Sequence, residues 1–428
     1  MTLAVLCVTF VVLMALGMPI AFVIGCACLA ALVVSGQSTM LLQHFMQIGI
    51  DSFVLVAVPM FVLAGEIMLK GRMTTALTDF ADILVGRLRG GMGHTNIAAS
   101  VFFAGITGSA SADTTALGSV LIPAMAERGY DRAYATAVTI ASSVIGPIIP
   151  PSLTFVIYAM AVGGVSIGDL FVAGIVPGLL VAVALMVMNH RISERRGYEK
   201  RTERHSMRFV LTTFRRSLVV LVMPLLIVAG VLSGGFTATE AAAVASIYAL
   251  VICLFFTRTM TPGDLPSVLF DTARTSSIMF LLLATSSVLS YILATQGVPR
   301  LIADGFGALT DNRYVFLLLL NVALLLIGVV LDLFPAIIIF GPIFASISQS
   351  YGIDPVHFGV IFCVNLLLGL NTPPVGSGLF IGAAVGKVRL EDLIREVRPF
   401  IAMEIVVLLL ITYVPVLTTG LPRLLGGS

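Results

Sequence analysis

The sequence predicts an all-α polytopic membrane protein that is built from two related halves. The chain has 428 residues, of which 58% are hydrophobic and 11% are charged, whereas a soluble domain is about 45–50% apolar and about 25% charged. Two stretches with the same pattern, residues 105–152 and 328–377, lie in opposite halves of the chain. Each has an Asp in a turn between two apolar arms, followed by an apolar helix with a proline pair at its middle.

A helix needs about 20 apolar residues to span a bilayer, and the apolar runs divide the chain accordingly. Residues 3–34 are predicted to be one long, bent crossing that is retained, not cleaved as a signal peptide, and two short helices are the alternative. Further crossings are expected at residues 52–69, 168–188, 217–232, 238–256, 276–294 and 399–416. Residues 74–88 and 298–309 are predicted to lie at the membrane surface.

Two segments are predicted to be re-entrant hairpins, and two are predicted to be broken helices. The hairpins, 95–126 and 314–350, turn at GSASAD and at LDLFP. The broken crossings, 132–162 and 357–386, are interrupted at GPIIPP and at GLNTPP. Lipid offers no water to backbone groups that a break frees, so such breaks are tolerated only where they line a cavity.

The two halves are predicted to be inverted structural repeats. Asp113 and Asp332 are 219 residues apart, and Gly146 and Gly369 are 223 residues apart, so the pattern recurs with little drift. Five predicted crossings separate the starts of the two repeats, and an odd number reverses the side of entry. The predicted division is an N-terminal scaffold helix (1–44), repeat 1 (45–190), a basic loop with two linking scaffold helices (191–267), repeat 2 (268–419) and a C-terminal tail (420–428).

The charge distribution predicts which side of the membrane each loop faces. The segment from His190 to Arg216 carries nine arginines and lysines, and positively charged loops are retained in the cytoplasm. Tracing the crossings outward from this loop places the N-terminus in the cytoplasm and the C-terminus outside. No nucleic-acid partner is expected, because the basic run lies beside membrane helices.

The proline pairs are predicted to leave backbone carbonyls without donors. Pro150 frees the carbonyl of Gly146 and Pro373 frees that of Gly369, because a proline cannot donate to the residue four positions before it. Such carbonyls, with nearby hydroxyls, suit a small hard cation such as sodium. The half-helix that begins after each break directs the positive end of its dipole toward an anion. The side chains expected to bind a carboxylate there are those of Thr114, Ser152, Asn371 and Ser377.

Three acidic residues in apolar surroundings each have two interpretations. Asp113 and Asp332 begin the second arms of the hairpins, where a carboxylate caps a helix; direct sodium ligation or proton coupling is the alternative. Glu66 lies within a crossing, where an ionisable group is a functional candidate by default. It is also four residues from Lys70 and could pair with it.

At these motifs the chain resembles the large, M-type (DctM-like) membrane subunit of the tripartite ATP-independent periplasmic (TRAP) transporters. The resemblance covers nearly the whole chain and rests on GITGSASADTTALGSVLIPAM, GPIIPPS, FTATEAAAVAS, LDLFPAIII and GIDPVHFGVIFCVNLLLGLNTPPVG. It implies an elevator mechanism, in which the hairpins and broken helices slide against a scaffold. It also implies sodium-coupled import of an organic acid, such as sialic acid or a C4-dicarboxylate, across the bacterial inner membrane. No cofactor is expected besides the coupling sodium ions.

The resemblance further implies two protein partners and two sodium sites. The partners are a small four-helix (Q-type) membrane subunit and a periplasmic (P-type) substrate-binding protein. Each sodium site lies between a hairpin turn and its neighbouring broken helix. Site 1 maps onto Ser109, Ser111, Gly146 and Ile149, and site 2 maps onto Gly328, Asp332, Gly369 and Thr372. Asn371 departs from the family pattern, in which a hydrophobic residue is more usual before TPP.

Three other functions compete with that of a TRAP subunit. A stand-alone sodium-coupled anion permease of related hairpin architecture is the alternative, and dependence of uptake on an added binding protein separates the two. An enzyme is not expected, because neither Asp113 nor Asp332 has the Gly-x-Gly-Asp or Tyr-Asp setting of aspartyl intramembrane proteases and no His-Glu-x-x-His motif occurs. The absence of a P-loop argues against an ATP-driven pump.

Overall fold

The computed structural model describes residues 1–198, 206–374 and 376–425, which form twenty α-helices and no β-strand. The first three helices are α1 (Thr2–Ala15), α2 (Ile20–Val34) and α3 (Met40–Ile50). The single bent crossing predicted for residues 3–34 is therefore wrong, and the alternative of two short helices is the one observed. Gly17, at φ 77°, lies in the left-handed region that favours glycine, so the chain turns here instead of bending. Because only four residues join α1 to α2 and the two helices pack against each other, they run antiparallel.

The first half of the chain contains one helical hairpin and one interrupted helix, as predicted. Its helices are α4 (Ala57–Lys70), α5 (Met73–Val85), α6 (Gly91–Thr107), α7 (Ala110–Glu127), α8 (Arg132–Ser143), α9 (Leu153–Val162) and α10 (Ile167–Arg196). Helices α6 and α7 form the hairpin, which turns at Gly108 (φ 58°). Residues 144–152, which include the predicted proline pair, separate α8 from α9.

Two helices link the halves, α11 (Met207–Leu232) and α12 (Ala238–Val251), the second extended by a π-helical turn at Ile252–Phe256. Thr237 and Glu240 form a capping box at the start of α12, as the Thr-x-x-Glu pattern there indicates. The basic segment before α11 is largely helical where it is described, because α10 continues to Arg196. Its residues Lys200, Arg201 and Arg204 lie outside the described ranges.

The second half repeats the element order of the first. Its helices are α13 (Leu265–Thr295), α14 (Val298–Leu309), α15 (Arg313–Val330), α16 (Leu333–Ser350), α17 (Pro355–Leu370), α18 (Ser377–Gly386), α19 (Leu390–Tyr413) and α20 (Val416–Leu424). Helix α14 coincides with the amphipathic segment predicted at 298–309, α15 and α16 form the second hairpin, and α17 and α18 are the interrupted helix. Within the described residues, seven helical segments are long and apolar enough to cross a membrane, or eight if the bent pair α19–α20 is one span.

The helices pack in two groups. In the first group, the long helix α13 contacts α2, α3 and α4, and α12 contacts α4. In the second, each interrupted helix packs against the hairpin of the other half, because α18 lies against α7 and α9 lies against α16. Buried hydrogen bonds join helices within this group: Asn96 Nδ2 donates to Thr139 Oγ1 at 2.7 Å and Asn365 Nδ2 donates to Asn321 Oδ1 at 2.6 Å. Such bonds replace water for polar groups between membrane helices.

Candidate functional site

A cavity of about 130 Å³ lies where the two halves meet. Its walls come from the turns of both hairpins and from the ends of both interrupted helices. The polar residues that line it are Ser109, Ser111, Thr114, Ser143, Asp332, Asn371 and Ser377. The cavity therefore brings together six residues that the sequence assigned separately to the sodium and carboxylate sites.

Three helices begin at this cavity: α7, α16 and α18. Their N-cap residues are Ser109, Asp332 and Gly376, and none of these makes a side-chain capping hydrogen bond. The first N–H groups of a helix have no acceptor within the helix, and they carry the positive end of the helix dipole. The cavity thus faces uncapped backbone donors from three helices.

Around the first predicted sodium site, the turn of hairpin 1 contacts the break between α8 and α9. Ser109 Oγ and Ser111 Oγ are 3.1 Å apart. Gly146 lies directly under the carboxylate of Asp113, whose Oδ2 atom occupies the space that a Cβ at position 146 would need. Thr107 Oγ1 donates to Asp113 Oδ1, while Oδ2 has no hydrogen-bond partner among the described residues.

The helix-cap interpretation of Asp113 is wrong. Helix α7 begins after Ser109, so Asp113 lies inside its first turn and is fully buried. The left-handed conformation of Gly108 ends the turn earlier than the sequence suggested. Asp332 does occupy the N-cap position of α16, but its side chain makes no capping bond and instead lies 3.5 Å from the Ser377 hydroxyl, which donates to it.

At the second predicted sodium site, Gly328 of α15 lies against Gly369 of α17. A Cβ atom at position 369 would lie 2.6 Å from the Gly328 Cα atom, so only glycine fits without a shift of the backbone. Thr372 is close in sequence but its hydroxyl donates to the carbonyl of Leu368 at 2.8 Å. At the position of the predicted site, two backbone segments thus approach closely, with few side chains between them.

Seven predicted site residues are not among the described residues that line the cavity: Asp113, Gly146, Ile149, Ser152, Gly328, Gly369 and Thr372. Three of these have side chains that are engaged elsewhere. Ser152 is the N-cap of α9: its hydroxyl accepts from the Phe155 N–H and donates to the carbonyl of Pro147. Ile149 packs against Gly178, and Thr372 is turned toward α17.

The side-chain roles of two polar residues at the site were not predicted from the sequence. Ser143 lines the cavity, and its hydroxyl accepts from Thr114 Oγ1 at 2.8 Å. Thr107 binds Asp113. Both lie at the last position of a helix just before an interruption or turn, and that position is the signal that could have identified them.

Asn371 joins the two halves at the cavity wall. Its Nδ2 atom donates to the carbonyl of Ile140 in α8 at 2.7 Å. This carbonyl also accepts from the Ser143 hydroxyl at 2.8 Å. The amide therefore fixes the end of one interrupted helix to the end of the other.

Two larger cavities flank the polar one at different levels of α13. One, of about 530 Å³, shares Ser109 and Ser111 with the polar cavity and is also lined by Glu66, Ser119 and Thr275. The other, of about 560 Å³, is lined by Ser52, Ser287 and Ser290 together with residues 159–161 and Gly163. Thr275 and Ser290 are both on α13 and are about 22 Å apart along it, at 1.5 Å per residue. No ion pair joins Glu66 to Lys70 among the described residues.

A polar cavity between paired hairpins and paired helix interruptions, in a multi-pass helical membrane protein, is typical of a transport protein. The DctM component of the tripartite ATP-independent periplasmic transporters is the family that matches residues 7–417. The chain therefore belongs to this family, as the sequence motifs predicted, and is a TRAP large permease subunit.

Comparisons with individual proteins agree with this assignment. The sialic acid TRAP transporter large permease protein SiaM of Vibrio cholerae is 38% identical over 412 residues, which cover 96% of each chain. The C4-dicarboxylate TRAP transporter large permease protein DctM of Rhodobacter capsulatus is 32% identical, over 97% of this chain and 98% of that protein. The crystal structure of the Alcanivorax borkumensis YdaH transporter has a similar fold, with a TM-score of 0.62 at 16% identity over 87% of this chain and 86% of that one.

Proposed function

We propose that this chain is the membrane subunit through which a sodium-coupled TRAP transporter imports an organic acid anion. The observation that carries the proposal is the polar cavity at which α7, α16 and α18 begin without side-chain caps. A helix N-terminus is a general binding site for an anionic group. Three of them around one cavity favour a carboxylate there.

The cavity lining suggests why a cation would have to accompany the anion. No lysine or arginine is among the described residues that line it, and Asp332 contributes a negative charge. Each helix N-terminus is equivalent to only about half a positive charge. A carboxylate held by dipoles and hydroxyls beside Asp332 is stabilised when sodium binds nearby.

We propose the two sodium sites at the positions where each hairpin approaches its neighbouring break. Site 1 comprises the Ser109 and Ser111 hydroxyls with backbone groups of Gly146 and Ile149, and site 2 comprises Gly328, Asp332, Gly369 and Thr372. Hard cations prefer oxygen ligands, and a proline pair leaves carbonyl oxygens available. The close approach of Gly328 to Gly369 supports site 2, because it brings the two backbone segments together.

The two packing groups support an elevator movement. The hairpins and interrupted helices (α6–α9 and α15–α18) would form the moving body and carry the polar cavity. The helices around α13 would form the scaffold. The two flanking cavities, at different levels of α13 and between these groups, support access from opposite sides. In this arrangement the two halves are inverted repeats and the hairpins re-enter the membrane.

The basic segment before α11 orients the protein with that segment in the cytoplasm of a bacterial inner membrane. The prediction of a cytoplasmic N-terminus depended on one crossing over residues 3–34. Because α1 and α2 run antiparallel, we propose instead that Met1 and Ser35 lie on the same, periplasmic side. The C-terminus is also proposed to be periplasmic.

The proposed partners are a small four-helix membrane subunit and a periplasmic binding protein that delivers the substrate. Relatives named for sialic acid and for C4-dicarboxylates support a carboxylate substrate. The cavity of about 130 Å³ favours recognition of one carboxylate group and not of a whole large substrate in the present conformation.

Uptake by proteoliposomes containing both membrane subunits tests the proposal. Uptake is expected only with an inward sodium gradient and with loaded binding protein outside. Ser377→Ala, which removes a cavity hydroxyl, should lower uptake severalfold, whereas Ser350→Ala, whose hydroxyl bonds Ile347 away from the cavity, should not. Sodium-independent uptake would contradict the coupling, and uptake of free substrate without the binding protein would favour a stand-alone permease.

A further inference from the structure

We infer that a groove at the ends of three membrane helices binds the phosphate group of an anionic phospholipid. The groove has a volume of about 480 Å³, within the about 300–1,000 Å³ that is usual for small-ligand clefts. It is formed by the start of α5, the first turns of α11 and the residues that follow α12. It is separate from the polar cavity and from the two cavities that flank it.

The position of the groove places it at the membrane surface. Helix α4 ends at Lys70, just before Arg72; α11 begins at Met207; and the span that contains α12 ends at Phe256. Three spans thus end or begin at the same groove. The orientation proposed above puts this surface on the cytoplasmic side, where anionic lipids give the membrane a negative potential.

Arg72 and Arg216 supply the chemistry that recognises a phosphate. Both side chains line the groove, and neither makes a hydrogen bond or ion pair with any described residue. A guanidinium has five N–H donors in a planar fork that matches two phosphate oxygens. Among the described residues that line the groove, the charged side chains are those of Arg72, Arg216 and Asp79.

The threonine hydroxyls of the groove are mostly committed to backbone carbonyls, so the arginines are the free donors. Thr75 donates to the Arg72 carbonyl at 2.7 Å, and Thr212 donates to the Arg208 carbonyl at 2.8 Å. Thr257 donates to the Ile252 carbonyl at 3.0 Å. These hydroxyls keep lone pairs that can accept from a glycerol hydroxyl or an ammonium, as a lipid headgroup offers.

Exposed aromatic side chains favour a lipid over a soluble phosphate. Phe255 and Phe256 are 68% and 73% exposed, and Phe256 also lines the groove. Exposed phenylalanine rings near a membrane surface are buried at the boundary between the headgroups and the acyl chains. A ligand with both a phosphate and acyl chains satisfies the arginines and the phenylalanines together.

Native mass spectrometry of the full chain in detergent tests the inference. The protein is equilibrated with equal amounts of phosphatidylglycerol and phosphatidylcholine that have the same acyl chains. Wild type should retain phosphatidylglycerol preferentially. The double variant Arg72→Gln/Arg216→Gln should retain about tenfold less of it, about threefold to fivefold per arginine. A matched double variant with two exposed arginines outside the groove, Arg191→Gln/Arg398→Gln, should retain as much as wild type.

Equal retention in all three proteins would overturn the inference. A second measurement uses wild type only, so it does not depend on the folding of the variants. A photoreactive phosphatidylglycerol should cross-link to residues 209–216 or 252–259, and cross-links only to other residues would also overturn the inference. Inorganic phosphate in millimolar excess should not prevent this labelling. If it does, and no preference for phosphatidylglycerol is found, the site takes soluble phosphate and the lipid assignment is wrong.

Discussion

Replacing Gly369 with alanine is expected to impair sodium coupling without preventing membrane insertion. A Cβ atom at position 369 would lie 2.6 Å from the Cα atom of Gly328 and 2.7 Å from its carbonyl carbon. Carbon atoms in contact normally lie about 3.5–4.0 Å apart, so α15 and α17 would have to separate by about 1 Å here. Both neighbouring atoms belong to the backbone, so neither can rotate away as a side chain would.

The size of the effect follows from this overlap. Adding a methyl group to a filled interior costs about 1–3 kcal/mol. If the cost falls on the state in which the two backbone segments hold sodium, the half-saturating sodium concentration rises about 5- to 150-fold, because about 1.4 kcal/mol is a factor of ten.

Sodium-dependent uptake in proteoliposomes measures this change. Gly307→Ala is the matched control, because Gly307 is also helical and a Cβ atom there meets nothing within 4 Å. The control should show the sodium dependence of wild type. If Gly369→Ala is inserted normally and also keeps the wild-type sodium dependence, the assignment of site 2 to the Gly328–Gly369 contact is refuted.

Three more predictions concern the first half and the access routes. Gly146→Ala should displace the Asp113 carboxylate and abolish most sodium-dependent uptake; uptake within twofold of wild type would contradict the role of site 1. Asn371→Leu removes one of the two donors to the Ile140 carbonyl at the end of α8. Because such a hydrogen bond contributes about 1 kcal/mol, the substrate affinity measured in the same assay should fall severalfold. An unchanged affinity would rule out a role of Asn371 in shaping the cavity. In a cysteine-free background, Ser119→Cys should react with an impermeant thiol reagent in inside-out vesicles, and Ser290→Cys should react in right-side-out vesicles. If both variants react from the same side, the two cavities do not open to opposite sides of the membrane.

Local composition was sufficient to locate the hairpins and the interrupted helices. Proline pairs remove backbone donors whatever surrounds them, so the breaks at 144–152 and after α17 follow from the sequence alone. The capping box at the start of α12 is equally local. In contrast, Gly17 and Pro19 are compatible with a bend or a turn, and the packing of α1 on α2 decided between them.

The roles of single polar residues depended on contacts that the sequence does not reveal. Ser152 was expected to face a substrate, but a serine that begins a helix can equally cap it, and it does. Asp113 was displaced from the expected cap position because the chain turns at Gly108. The packing of α18 on α7 and of α9 on α16 joins segments far apart in the chain, so it could not be predicted from local patterns.

The most direct test of the account is whether sodium and the anion bind together at the cavity between the two halves. In a cysteine-free background, the rate at which a small thiol reagent modifies Ser377→Cys is measured in membranes that contain the full transporter. We predict that sodium together with the substrate-loaded binding protein slows this modification, and that either one alone does so much less. Equal protection when potassium replaces sodium, or no protection under any condition, would contradict the account.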